Sequence, residues 1–235
     1  MVALDGAVVL VTGAGGGLGV EFVRQALERG ARKVYATARI PREWDDSRVV
    51  PLALDVTDEA SVAAAVAAAG DTTIVVNNAG VGGANSLLDS DLAEVRRVFE
   101  TNLFGALAVA KEFAPILAAN GGGALIDVHS VLSWIGLAGG YSASKAAFWS
   151  VTNSLRLELA PAGTQVTGVH VGYTDTPMTA GVTAPKNDPA DVVRDTYDGV
   201  EAGATEVLAD QLSRDVKTGL AGPIERLYPQ LSPIS

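Results

Sequence analysis

The apolar positions of this chain fall into two alternating textures. Ala7-Val8-Val9-Leu10-Val11 is apolar throughout and mostly β-branched, which suits a strand buried on both faces. The next pattern is helical: Phe22, Val23, Ala26 and Leu27 share one side of the stretch from Val20 to Arg29, and Gly30 follows its end. The alternation continues down the chain. Strands are predicted over 33–39, 49–54, 73–76, 124–129, 165–171 and 206–209. Helices are predicted over 58–69, 91–100, 104–119, 141–160, about 191–202 and 211–220, with a Pro-rich, irregular tail beyond. Pro161 stops the helix that Tyr141 opens. Strands that alternate with helices predict a parallel sheet with right-handed crossovers. The expected architecture is a doubly wound parallel seven-stranded sheet in a three-layer α/β/α sandwich. It forms a single domain over 1–235, with a substrate loop and a small C-terminal segment over about 173–235.

Between the first strand and the first helix lies Thr12-Gly13-Ala14-Gly15-Gly16-Gly17-Leu18-Gly19. A strand, a glycine turn and a helix in that order form the phosphate site of a Rossmann-like nucleotide-binding unit. Glycines let the backbone approach a pyrophosphate, and the helix start offers free N–H groups and a positive dipole end. Gly13, Gly15, Gly16, Gly17, Leu18 and Gly19 are therefore expected to hold a cofactor. The end of the second strand selects which one. No carboxylate lies between Val34 and Arg39 to accept from ribose hydroxyls, and Arg39 offers a guanidinium suited to a 2′-phosphate. This favours NADP (NADPH), with NAD possible. Asp55, before Val56 at the close of the third strand, either meets the adenine amino group or caps the next helix. Asn78, Ala79 and Gly80 follow the fourth strand, where small residues let a cofactor lie across the sheet's carboxyl edge.

Composition narrows the classes. The chain has 235 residues, 48% hydrophobic and 19% charged, enough for one large packed domain. A net charge of -10 argues against nucleic acid and anionic membranes as partners. The absence of cysteine excludes disulfides, thiolate metal sites and cysteine nucleophiles, and no metal site is expected. No basic, apolar leader is read at the N-terminus, and no run approaches ~18 consecutive apolar residues. The expectation is a cytoplasmic protein.

The chemistry centres on Tyr141-Ser142-Ala143-Ser144-Lys145. Residues i and i+4 share a helix face, so Tyr141 and Lys145 point the same way. A phenol with a pKa of about 10 carries protons poorly at neutral pH. An adjacent ammonium favours the phenolate, and a phenol shifted in that way can protonate a ketone or deprotonate an alcohol. His129 and His170 sit on strands and read as structural.

With these residues in view, the chain resembles the short-chain dehydrogenase/reductase family over nearly its whole length. Thr12-Gly13-x-x-x-Gly17-Leu18-Gly19 matches the cofactor fingerprint, Asn77-Asn78-Ala79-Gly80 the sheet motif, and Tyr141 to Lys145 the catalytic helix. The resemblance implies catalytic roles for Asn102, Ser130, Tyr141 and Lys145. Tyr141 would carry the proton, and Lys145 would lower its pKa and hold the nicotinamide ribose. Ser130 would bond the substrate oxygen, and Asn102 would fix a relay water. Thr176 would anchor the nicotinamide amide. Two features depart from the pattern. Ser130 to Tyr141 is about two residues short, which makes Ser133 a rival, although Ser130 leaves its strand directly. Val171 replaces a usual proline, which implies a less rigid turn. The family further implies a homodimer or homotetramer through the helices around Phe104 and Phe148 and the final strand.

The expected pocket wall runs over 81–85, 132–137 and 173–182, including Trp134, Ile135, Leu137, Tyr173 and Met178, with no Lys or Arg. That predicts a small, uncharged, hydrophobic carbonyl or alcohol substrate. Two other classes use this fold: an NADP-binding sensor without turnover, and an epimerase or dehydratase. The first tends to lose the tyrosine or lysine, and the second needs a larger C-terminal domain.

Overall fold

In the computed structural model, residues 2–231 are described. Seven strands form one parallel sheet: β1 (Val8–Val11), β2 (Lys33–Ala38), β3 (Val49–Ala53), β4 (Ile74–Asn77), β5 (Ala124–Val128), β6 (Gln165–His170) and β7 (Glu206–Leu208). Their order is β3-β2-β1-β4-β5-β6-β7, with every pairing parallel. The chain runs outward from β1 to β3, then returns to place β4 on the other side of β1. That reversal opens a crevice at the carboxyl ends of β1 and β4.

Period-two alternation sends successive strand residues to opposite faces. Val9, Val11, Ile74, Val76, Ala124 and Ile126 face α1 (Leu18–Glu28) and α6 (Pro189–Glu201), where Phe22, Val23, Val193 and Tyr197 complete one core. Val8, Leu10, Val75 and Leu125 face the other layer. There they meet α2 (Glu59–Ala68), α4 (Ala106–Ala119) and α5 (Gly139–Leu159) through Val62, Val109, Phe113 and Leu155. Aspartates start several helices. Asp58 accepts from Ala60 N, Asp91 from Ala93 N at the start of α3 (Leu92–Phe99), and Asp188 from Ala190 N. Each such cap is worth about 1 kcal/mol.

Two expectations change. The helices predicted over 91–100 and 104–119 are one continuous rod, Leu92–Ala119, whose middle, Glu100–Gly105, is a π-helical stretch. Asparagine's poor helix propensity suggested a break at Asn102; its side chain instead finds partners inside the protein. By length and composition the rod is long enough to cross a bilayer. Here it lies against the sheet and buries Val98, Val109, Phe113 and Leu117. The tail is also more ordered than its proline content predicted. After α7 (Gln211–Gly219) comes a short α8 (Ile224–Leu227), and Tyr228 then accepts a 2.7 Å hydrogen bond from Gly136 N.

Candidate active site

The glycine turn forms a cradle at the crevice. Gly13 and Gly17 have φ of +68° and +54°, a region that L side chains enter only with strain. A side chain at Gly13 would come within 3.0 Å of Ala79 Cα, and one at Gly17 within 3.3 Å of Thr176. The loop, the end of β4 and Thr176 therefore converge on one place. Thr12 fastens them: its hydroxyl accepts from Asn78 N and Ala79 N at 3.0 Å each, and Asn78 Nδ2 donates to Thr12 O at 2.9 Å. Gly17 begins α1 without a side-chain cap; Gly19 N donates to Gly16 O at 3.1 Å, and the other N–H groups of the first turn are left to an anion. Nothing lies within 4 Å of the position a side chain would take at Gly16.

At the same sheet edge, four side chains gather from three elements. Asn102, in the π-helical stretch, accepts from Val81 N at 2.8 Å and donates to Val81 O and Ser144 Oγ at 3.0 and 3.1 Å. Widened helical turns recur at functional sites. A side chain at Gly80 would meet Asn102 Oδ1 at 3.3 Å and Lys145 Nζ at 3.8 Å, so that glycine keeps the two polar groups open to each other. Lys145 is buried and donates to Val128 O at 2.8 Å. Ser130, two residues beyond the end of β5, accepts from Leu132 N at 3.2 Å and donates to Val171 O at 3.4 Å; its hydroxyl acts on the Tyr141 phenol, favouring the ionised form.

The rivalry between the serines resolves geometrically. Ser133 Oγ turns back to accept from Ser130 N, closing a capping box over the short turn Val131–Ser133. Ser133 is thereby occupied within its own turn, and Ser130 is the serine that acts on the Tyr141 phenol. The short loop to Tyr141 is secured at both ends. Trp134 stacks on His170 at 3.9 Å, and Gly140 N donates to Ala84 O at 2.7 Å.

One electrostatic expectation is corrected. Burial raises the Tyr141 phenol to about 12, and the Ser130 hydroxyl works against that rise. Lys145 does not pull it down: burial lowers Lys145 itself to about 8, while Asp127 supports its charge. The lysine ammonium is turned toward Val128 O rather than toward the phenol.

The sequence profile described as short chain dehydrogenase matches residues 7–187. The chain belongs to the short-chain dehydrogenase/reductase family. A short-chain dehydrogenase from Burkholderia cenocepacia J2315, solved in complex with NADP, superposes with a TM-score of 0.93 and 37% identity, covering 98% of this chain and 100% of that one. The cis-4-hydroxycyclohexanecarboxylate dehydrogenase of Sinomonas cyclohexanicum is 37% identical over 79% of this chain and 78% of its own length. The short-chain dehydrogenase PC-15 of Penicillium crustosum is 38% identical over 72% of this chain, which spans 66% of that relative's length.

The remaining sequence-predicted residues of this family member lie around the same crevice. The cradle of positive-φ glycines and the uncapped α1 fit a dinucleotide. Arg39 is exposed just past β2 and makes no hydrogen bond or ion pair among the described residues, beyond its field on Asp55. Asp55 neither caps α2, which Asp58 does, nor stands free: its Oδ1 accepts from Thr57 N and Oγ1 at 3.0 and 2.7 Å. Val56 is buried against Gly105. The Val171 turn is firmer than expected, because Asp210 accepts from Gly172 N at 2.6 Å and Val171 O accepts from Val131 N at 2.9 Å.

The predicted wall is only partly a wall. Leu137, Tyr173 and Met178 are exposed, whereas Trp134 packs inward on His170. Phe148, on one of the helices that the resemblance places at a subunit contact, is itself buried against His129 at 4.6 Å. Phe104 alone of that pair is exposed. Sequence reasoning missed Thr12 as the fastener, Ser144 as a partner of Asn102, and Asp127 behind Lys145. Thr12 stood inside the quoted fingerprint, and a lone aspartate in the apolar run of β5 was a visible signal.

Proposed function

We propose that the protein is an NADP-dependent oxidoreductase interconverting a small, uncharged, hydrophobic ketone or aldehyde and its alcohol. The observation that carries the reading is the convergence of buried Asn102 and Lys145 on Gly80, with Ser130 and Tyr141 beside them, at the edge that bears the glycine cradle. Gly13 to Gly19 and the start of α1 would hold the pyrophosphate. Arg39 would hold the 2′-phosphate, and Thr176 and Lys145 the nicotinamide end. A reduced nicotinamide held there would supply the hydride.

The chain's own groups do the rest. Ser130 and Tyr141 donate hydrogen bonds to the carbonyl oxygen, which favours the negative charge it develops. Tyr141 then gives its proton to that oxygen, or in the reverse direction takes it. A phenol raised to about 12 is a competent donor in reduction and a poor base in oxidation until a cation is brought to it. Lys145, with a nearby ammonium and two undirected N–H bonds, is the group that supplies that cation. The uncharged substrate follows from wall segments without Lys or Arg. The NADP-bound relative supports the cofactor, and the dehydrogenase of a hydroxylated cyclohexane carboxylate supports alcohol oxidation or its reverse, not the absence of charge on the substrate.

The test is to incubate the purified protein with NADPH and a panel of ketones and aldehydes, following loss of reduced-nicotinamide absorbance, then to repeat with Tyr141→Phe. The expected outcome is turnover that falls by at least ~100-fold in the variant, in line with loss of a positioned acid, with NADPH binding retained. Turnover at the wild-type rate in Tyr141→Phe would refute the mechanism. NADPH binding with no turnover of any carbonyl would favour a sensor.

A further inference from the structure

β5 carries a carboxylate where its neighbours carry apolar side chains. Asp127 has no exposed surface. Its Oδ2 accepts from Thr152 Oγ1 of α5 at 2.7 Å, and its Oδ1 accepts from Asn77 Nδ2 of β4 at 3.0 Å. Asn77 can only donate to it, and the single Thr152 hydroxyl proton goes either to Asp127 or to Phe148 O at 3.0 Å; the first choice suits the ionised form, which only accepts. A buried carboxylate is costly unless a cation answers it. No ion pair reaches Asp127 among the described residues; the positive charges that act on it are those of Lys145 and Arg156, both from α5. Arg156 is already engaged, donating to Val166 O at 3.2 Å, to Thr205 O at 2.8 Å and to Asn153. Lys145 has a single protein acceptor, the carbonyl of Val128, which is the residue next to Asp127.

We propose that Asp127 is a positioning residue for the reaction: fixed by Thr152 and Asn77, it supplies the buried counter-charge that keeps Lys145 an ammonium. This rests on the reading of Lys145 as an active-site amine. An ammonium in an apolar site reverts toward the neutral amine unless a negative charge is near. A neutral Lys145 would leave the helix face that it shares with Tyr141 without its cation. The other titratable groups near Lys145 are Tyr141, on its own helix, and His129, just past β5, which burial keeps neutral. Neither carries a negative charge at neutral pH, so the task falls to Asp127. Burial raises Asp127 to about 6 and lowers Lys145 to about 8; at neutral pH the charged pair is the resulting state.

Asp127→Asn isolates the charge from the contacts. Its oxygen can still accept from Asn77, and its amide can donate to Thr152 Oγ1, which retains Phe148 O at 3.0 Å as acceptor. The chain has few lysines: Lys33, Lys111, Lys145, Lys186 and Lys217. Labelling them with ¹³C at Cε allows each to be titrated by NMR, with the Lys145 signal assigned by its loss in Lys145→Met. The expected result is a Lys145 midpoint on the order of one pH unit lower in Asp127→Asn than in the wild type. The wild-type signal should also show a second, smaller inflection near pH 6 as Asp127 takes up its proton.

In steady-state kinetics, the alkaline limb of kcat/KM should move the same way. A Lys145 midpoint unchanged within ~0.2 unit in Asp127→Asn would overturn the proposal. If that variant does not fold, absence of the lower inflection in the wild type overturns it alone. The titration needs no turnover, so failure to reduce any carbonyl would sink the functional reading and leave this result standing or falling separately.

Discussion

Replacing Gly19 by alanine tests whether the first turn of α1 must touch the glycine loop. A methyl group at Gly19 would lie 2.2 Å from Gly13 O and 2.8 Å from both Gly13 C and Ala14 Cα. An ordinary carbon–oxygen contact is about 3.3–3.6 Å, so the loop or the helix must move by roughly 1 Å. Neither gives easily. Gly13 O accepts from Asn78 Nδ2, and Ala14 N donates to Thr37 O at 2.8 Å, which ties the loop to both neighbouring strands. Overpacking of this kind costs about 1–3 kcal/mol, set against up to ~1 kcal/mol gained because alanine favours helix over glycine. The expected net loss is about 2 kcal/mol, equivalent to a Tm lower by roughly 4–8 °C in a chain of this size.

Urea unfolding should show a lower midpoint with an unchanged slope, and the displaced Gly13 carbonyl should weaken NADPH binding followed by fluorescence. Gly16→Ala is the control for stability: with nothing within 4 Å, it should stay within about 0.5 kcal/mol of the wild type. Equal stability and equal NADPH affinity in the two variants would refute the argument from close approach.

Arg39→Leu should weaken NADPH by about 10–100-fold, the worth of a charge-assisted phosphate contact of roughly 1.5–3 kcal/mol, and leave NADH nearly unchanged; an equal loss for both cofactors would remove Arg39 from the 2′-phosphate. Tyr197→Phe deletes a buried hydroxyl that donates to Phe22 O at 3.0 Å and should cost about 1 kcal/mol in thermal or chemical unfolding, with kinetics untouched. Glu206 gives a pH signature. Burial acts to raise its carboxyl, but hydrogen bonds from His170 and Lys217 outweigh it and hold the group at about 2, below its ordinary 4.5. A folded-state pKa below the unfolded one contributes stability above pH 4.5 that is lost as pH falls from 4.5 toward 2. Glu206→Gln should therefore flatten the stability profile in that window, and a profile parallel to the wild type would contradict the assignment.

The layered fold was legible because its signals are local. A β-branched run, a glycine turn and an amphipathic helix follow one another within a single βαβ unit, and observed element ends differ from the periodicity by a residue or two. The site residues were legible for the same reason: Gly13, Ser130, Tyr141 and Lys145 each sit at the end of a strand or the start of a helix, where the fold places chemistry. Features that depend on distant partners were not. Asn102 reads as a helix breaker until Val81 and Ser144 supply its hydrogen bonds across 21 and 42 residues. Trp134 reads as a pocket wall until His170 provides a ring to stack on. The direction of the Tyr141 shift depends on burial, which no i, i+4 spacing reports. Tyr228 could not be joined to Gly136 from a tail that offered only prolines.

The π-helical stretch has a consequence for how this chain tolerates change. Val98 before it and Phe113 and Leu117 after it all point into the core, although they belong to helical segments in different rotational phase. One residue turns an α-helix by about 100°. Deleting any single position between Glu100 and Gly105 would merge the two phases, and either the leading or the trailing half would have to present its apolar edge to water. The same cut would swing Asn102 away from Val81. In this segment the spacing of the backbone, more than the identity of most side chains, is what inheritance has to preserve.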